Sequence, residues 1–193
     1  MLKTVRLLGL AGLAGVIALA TNAAAQIRPP PVPVGSAECF GDGSGTKCPA
    51  NNPGLPGRGC QNSTGSGGGL LQAYEVDYPV KHSVALYGSG MPVGTMAIFF
   101  QSTGTPRAHM GIAFGDGLLC LKGTQIRLAA KKSVDGAAVF PELRELSLIK
   151  AGQIQAPGGT RYYQILYRDF STSGTPTSGG FNLTNGYKID WQL

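Results

Sequence analysis

The stretch Tyr187-Lys188-Ile189-Asp190-Trp191-Gln192-Leu193 decides the fold class. Tyr187, Ile189, Trp191 and Leu193 take one parity and Lys188, Asp190 and Gln192 the other, the period of two that puts alternate side chains on opposite faces of a half-buried strand. Working upstream, the same period recurs less strictly in Tyr163, Ile165 and Tyr167, in Ile126 and Leu128, in Met96, Ile98 and Phe100, in Val84 and Leu86, and in Tyr74, Val76 and Tyr78. Turn residues punctuate these runs at 88–90, 104–106, 115–117, 157–159 and 179–180. The spacing predicts an all-β body over residues 70–193, an antiparallel β-sandwich of about eight to ten strands, with a closed barrel as the alternative. Composition agrees. The charged fraction is 13%, about half the globular average, and Gly plus Pro make 43 of 193 residues, which excludes a coiled coil or helical bundle.

Residues 141–152 (PELRELSLIKAG) read two ways. Leu143, Leu146 and Ile149 have helical spacing between a Pro and a Gly. Leu146 and Leu148 flanking Ser147 fit a strand, which the β-rich surroundings favour.

Residues 39–69 contain three cysteines and ten glycines, with little to pack beyond Phe40 and Leu55. Ordering such a segment costs on the order of 1–2 kcal/mol per residue, so it needs covalent ties and a body to dock on. Cys39, Cys48, Cys60 and Cys120 supply the ties: three pairings are open, and each joins Cys120 to one of the upstream cysteines. The Gly/Cys-rich cap, residues 38–69, is therefore expected to be stapled to the sandwich by disulfides. Zinc is the weaker reading, because there is no Cys-x-x-Cys knuckle and no His near the cluster.

Residues 1–25 have the three parts of an export signal: Lys3 and Arg6, the apolar run 7–20, and Ala23-Ala24-Ala25 before Gln26. The run is shorter than the ~20 residues that span a bilayer, so no membrane span is expected after processing. A Pro-rich leader, residues 26–37, should be extended and weakly ordered. These features predict a secreted protein, whether extracellular, periplasmic or on the cell surface, where disulfides persist. Without the signal, fourteen basic side chains face ten acidic ones. That surplus affects solubility and does not suggest nucleic acid, since no basic stripe with stacking aromatics accompanies it. The densest basic stretch, 127–132, reads as a solvated strand edge.

Asp42, Ser44 and Thr46 alternate with glycines, a spacing that can offer oxygen ligands to a hard cation such as calcium. Phe40-Gly-Asp-Gly43 recurs as Phe114-Gly-Asp-Gly117, each copy beside a cysteine. If a Cys120 bridge joins them, Asp42, Ser44 and Asp116 form a candidate structural Ca2+ site. The alternative is a pair of Asp-capped turns. No other cofactor is implied.

Catalytic signatures are missing: there is no Gly-x-Ser-x-Gly, His-Glu-x-x-His or phosphate loop. His82 has the parity of its strand, and His109 sits in a turn-like stretch beside Arg107. A polymer hydrolase could use Asp116 with Glu142 or Asp169. A glycan binder would instead expose aromatics such as Tyr162, Tyr163, Tyr167, Phe99 and Phe100, though core packing accounts for most of them. Asn62-Ser-Thr64 and Asn182-Leu-Thr184 match the glycosylation pattern and read as ordinary loop and strand-start residues.

A set of motifs runs through residues 38–193: CFGDGSGTKCP from Cys39, PGRGCQNS from Pro56, Phe99-Phe100-Gln101, FGDGLLC ending at Cys120, RYYQ from Arg161, Tyr167-Arg168-Asp169, and FNLTN from Phe181. In this combination the chain resembles a family of uncharacterised secreted, β-rich proteins of planctomycete-like, large-genome bacteria. The resemblance implies compartment and architecture, with no activity to transfer. The family tends to have Cys-Pro-Cys where this chain has Cys48-Pro49-Ala50, and a further Cys in the region of 170–180, where this chain has none. The resemblance thus implies one bridge lost here. The expectation is a non-enzymatic structural or interaction module of the envelope or extracellular space, with an unidentified partner that includes glycan among the candidates. The alternative is a secreted hydrolase or carbohydrate-binding module.

Overall fold

The computed structural model describes residues 32–77, 83–170 and 180–193. The expected signal, the prolines at 29–31, Tyr78, His82 and most of 170–180 lie outside them. Among the described residues the strands are β1 (Ser36–Glu38), β2 (Leu70–Val76), β3 (Ser83–Ser89), β4 (Met96–Gly104), β5 (Ile112–Phe114), β6 (Gly117–Leu119), β7 (Lys122–Lys132), β8 (Ala138–Phe140), β9 (Gly158–Arg168), β10 (Phe181–Leu183) and β11 (Gly186–Gln192). A helical turn, α1 (Leu148–Ala151), lies between β8 and β9. All strand pairs are antiparallel. One sheet runs β1-β11-β9-β4-β7 with β10 added along β9, a second runs β2-β3-β8, and β5-β6 is a separate hairpin. The large sheet ends at β7 without closing, so the body is the expected sandwich and not a barrel.

The core lies between the two sheets. Tyr163, Ile165 and Tyr167 of β9 and Tyr187, Ile189 and Trp191 of β11 meet Leu71, Ala73, Val84, Leu86 and Phe140 of the smaller sheet. Burying each large side chain contributes about 1.5–3 kcal/mol. The parity expected for β3, β9 and β11 is the parity observed, except that Leu193 is exposed. In β4 it is reversed: Ala97 and Phe99 are buried, while Met96 is 46% exposed. Register explains the reversal. Phe99 lies opposite Ile165, cross-strand partners share a face, and Ile165 points into the core. In β2 Leu71 and Ala73 point inward, in place of Tyr74 and Val76, because Ala73 lies opposite Leu86.

Three segments differ from expectation. Residues 141–152 form no strand: Ser147 caps α1 by accepting from Lys150 N at 3.3 Å, Leu148 is its buried anchor, and Leu143 and Leu146 are exposed. The Ser147 cap favours a helical turn over a strand here. The turn expected at 88–90 begins late, since Gly88 still pairs with Leu71. A Cβ there would come within 2.4 Å of Ile165 Cδ1, so glycine permits the close sheet packing. The end of the leader is extended but firmly held. Val34 N donates to Ala73 O at 3.0 Å, Glu75 N donates to Val32 O at 2.8 Å, and β1 then pairs with β11, so this segment ties the two sheets together.

Candidate functional site

The cap is held first by its bridges. Cys48–Cys60 closes a loop within it, and Cys39–Cys120 joins it to the chain just after β6. Close backbone approach then seats it: a Cβ at Gly59 would lie 2.1 Å from Leu183 O, so only glycine lets the cap rest on β10.

A seam of buried polar side chains completes the attachment. Asp169, fully buried, accepts from Ser63 N at 3.1 Å and from the Ser63 hydroxyl. Asn182 Nδ2 donates to Gln61 O at 3.0 Å, and its Oδ1 accepts from Leu183 N at 2.8 Å. Asn62 Nδ2 donates to Gly90 O at 2.6 Å and to the Tyr167 hydroxyl at 3.2 Å, while its Oδ1 accepts from Thr64 and Ser66. Gln164 ties strand to loop, donating to Leu118 O and Thr184 O and accepting from Cys120 N. Asn185 exchanges two bonds with the Leu71 backbone. In the core, the Tyr163 hydroxyl accepts from Trp191 Nε1 at 2.8 Å and donates to Gln101 Oε1 at 3.1 Å. Burial pushes the Tyr163 and Tyr167 hydroxyls well above the usual tyrosine value, so both stay protonated.

The motifs singled out in the sequence, from the Asn62-Ser63 pair to Phe181 through Asn185, thus supply much of the seam. The roles of Asn62, Asp169 and Asn182 escaped sequence reasoning, because each is defined by a partner distant in the chain. The nearest local signal was Gln164 between the apolar Tyr163 and Ile165. Both glycosylation matches are buried, Asn62 at 4% exposure and Asn182 at 0%, so neither amide is open to a glycan in the folded chain.

The candidate cation ligands sit in two separately fastened turns. Asp42 Oδ1 accepts from Ser44 N at 3.0 Å and from its hydroxyl, and Oδ2 accepts from Gly57 N at 2.9 Å. Desolvation opposes ionisation there, but these bonds prevail and hold the carboxyl below its usual value. Asp116 is buried. Its N–H donates to Phe181 O, and its carbonyl accepts from Asn52 Nδ2 at 3.1 Å. Among the described residues no group of three His, Cys, Asp or Glu side chains is placed to hold a metal ion.

The carboxylates considered for hydrolysis have unlike settings. Asp116 and Asp169 are buried, whereas Glu142 lies at the surface beside Lys131. His109 Nδ1 lies 2.8 Å from Glu38 Oε2, and its ring packs on Tyr162. Phe114 and Phe181 stack at 5.0 Å but at a tilt of 54°, while Tyr163, Tyr167 and Phe99 are in the core.

An open surface lies along β7. This edge strand carries the basic stretch, as expected, and beside it runs a shallow groove of about 490 Å³ of mixed lining, in which Lys131, Arg144 and Glu145 stand among Leu128, Phe140 and Leu146. Lys131 crosses the groove wall to Glu142 and Glu145. Desolvation works against these charges, yet the hydrogen bonds hold Lys131 above and Glu145 below their usual values.

Comparison of the chain with protein-family models, with curated proteins and with solved structures finds no match in any of the three.

Proposed function

We propose that this chain is an exported, non-enzymatic binding module of the cell envelope or extracellular space. The observation that carries the reading is how its chemistry is distributed. Two disulfides and the buried amides and carboxylates hold a glycine-rich cap on a sandwich, while the β7 edge and its groove remain open at the surface. The cap needs no large apolar core of its own, and its bridges suit an oxidising compartment. The leader pattern at 1–25 supports export. Cell fractionation with intact-mass measurement tests the proposal. The expected species lies outside the cytoplasm, begins near Gln26 and has all four cysteines oxidised; a full-length, reduced cytoplasmic chain would overturn it.

A second reading, glycan binding, draws on the exposed Phe170 and on Phe114, which is exposed and packs on Phe181. The tilt between Phe114 and Phe181 does not suit the flat platform that a sugar face prefers. A glycan array distinguishes the readings, and strong hits lost on Phe114→Ala would favour the second.

A further inference from the structure

Resting on the binding-module reading, we infer that the outward face of β7, β4 and β9 lies on an anionic phospholipid bilayer. Register puts the residues in place. Phe99 and Ile165 are opposite each other and point into the core, so the other parity, Met96, Ile98 and Phe100 of β4 with Leu166 of β9, turns outward. Ile98 lies opposite both Leu166 and Ala130, which makes the apolar strip continuous across three strands. None of these four large side chains belongs to the core between the sheets. Met96 is 46% exposed, and Ile98, Phe100 and Leu166 are partly exposed. An apolar strip left at the surface of a soluble sheet marks a contact site.

Cations border this strip. Lys132 lies opposite Met96 and Arg127 opposite Phe100, while Arg168 follows Leu166 at the same parity, so all three share the outward face. All three are exposed, and among the described residues none forms an ion pair. The three strands together hold six Lys and Arg and not one Asp or Glu. Next to Arg168, Phe170 is 62% exposed, with the guanidinium 6.0 Å from its ring. The face therefore offers positive charge around an apolar centre and, within its own strands, no acid to neutralise it.

That composition selects the partner. A glycan or polar peptide needs placed amides and hydroxyls to meet its own polar groups. The polar side chains nearest the strip are Gln164, opposite Phe100, and Ser102, two residues further along β4. Both are buried and already bonded, Gln164 to Leu118 O, Thr184 O and Cys120 N, and Ser102 to Gly104 O. A second copy laid on the same face would set these cations against their own kind. A bilayer of anionic lipid asks for the combination present: apolar area for the acyl boundary, and Lys and Arg heads for the phosphates.

The probe is a vesicle of equal parts phosphatidylglycerol and phosphatidylcholine, co-floated with the processed, oxidised chain so that the apolar leader plays no part. Binding at low salt is expected, with little to pure phosphatidylcholine and most of it lost at high salt. Arg127→Gln/Lys132→Gln, checked for native circular dichroism, should weaken binding roughly twenty-five-fold, about five-fold per cation. Met96→Ser should weaken it a few-fold and leave the salt dependence alone. Lys47→Gln/Lys150→Gln removes the same charge from exposed positions elsewhere and should bind as wild type. An equal loss in that control would reduce the effect to net charge and overturn the assignment to this face. So would no binding to the anionic vesicles, or full binding by the Arg127/Lys132 variant. Tighter capture by soluble alginate or polyglutamate than by vesicles would overturn the bilayer as partner. These failures leave export and oxidation standing, since fractionation and intact mass measure them separately.

Discussion

Replacing Cys39 and Cys120 by alanine removes the bond that fastens the cap to the sandwich. The bridge spans 81 residues, and the chain-entropy relation gives the denatured chain about 15 cal/mol/K on opening it, or about 4.5 kcal/mol at room temperature. The same relation gives about 2.8 kcal/mol for Cys48–Cys60, which spans 12 residues. The smaller loop lies inside the larger one, and because closure entropy grows only with the logarithm of length this nesting changes the first figure by a tenth or two of a kcal/mol. Guanidinium unfolding of the two paired variants against the oxidised wild type measures both losses. The Cys39→Ala/Cys120→Ala chain should be the less stable by about 1.5–2 kcal/mol. Limited proteolysis should find new cuts within 39–69 in this variant while β9 and β11 stay protected. A loss no greater than that of the Cys48–Cys60 variant would refute the reasoning. It would mean that the polar seam holds the cap without help from the covalent constraint.

Asp169→Asn places an amide donor opposite the Ser63 N–H and is expected to lower stability by about 2–4 kcal/mol and speed exchange of the Ser63 amide, read by denaturation and hydrogen exchange. Tyr163→Phe orphans both Trp191 Nε1 and Gln101 Oε1, and should cost about 2–4 kcal/mol with a change in tryptophan fluorescence; a neutral result would mean that water replaces the hydroxyl. Asp42 ionises more readily folded than unfolded, where its usual value is 3.8, so its stabilisation is present above that pH and lost as pH falls through the lower folded value. Denaturation midpoints across the acid range should show the advantage of wild type over Asp42→Asn shrinking below about pH 4, and a gap constant with pH would remove this role.

Some strands announce themselves because their two faces differ in kind. In β11 Ile189 and Trp191 alternate with Lys188, Asp190 and Gln192, and only one orientation buries the apolar set. In β4 the two parities are Met96, Ile98, Phe100 and Ala97, Phe99, both apolar, so alternation cannot choose between them. Pairing with β9 makes the choice. The same limit applied to residues 141–152, where helical and strand spacings overlap and the cap at Ser147 goes with the helical turn.

What the amino-acid order determined by itself was the class of body and the need to pin the cap. The period of two is a local property, a glycine-rich strip cannot bury enough to order itself, and every pairing of four cysteines ties Cys120 to that strip. What only tertiary structure decided was which upstream cysteine Cys120 meets, which face of β4 is inside, and that Asn62, Asp169 and Asn182 gather along one seam. The physical reason is that a hydrogen bond between residues 63 and 169 leaves no trace in the spacing around either residue. It exists once the sheet register has brought them together, and register is set by the burial of the whole face.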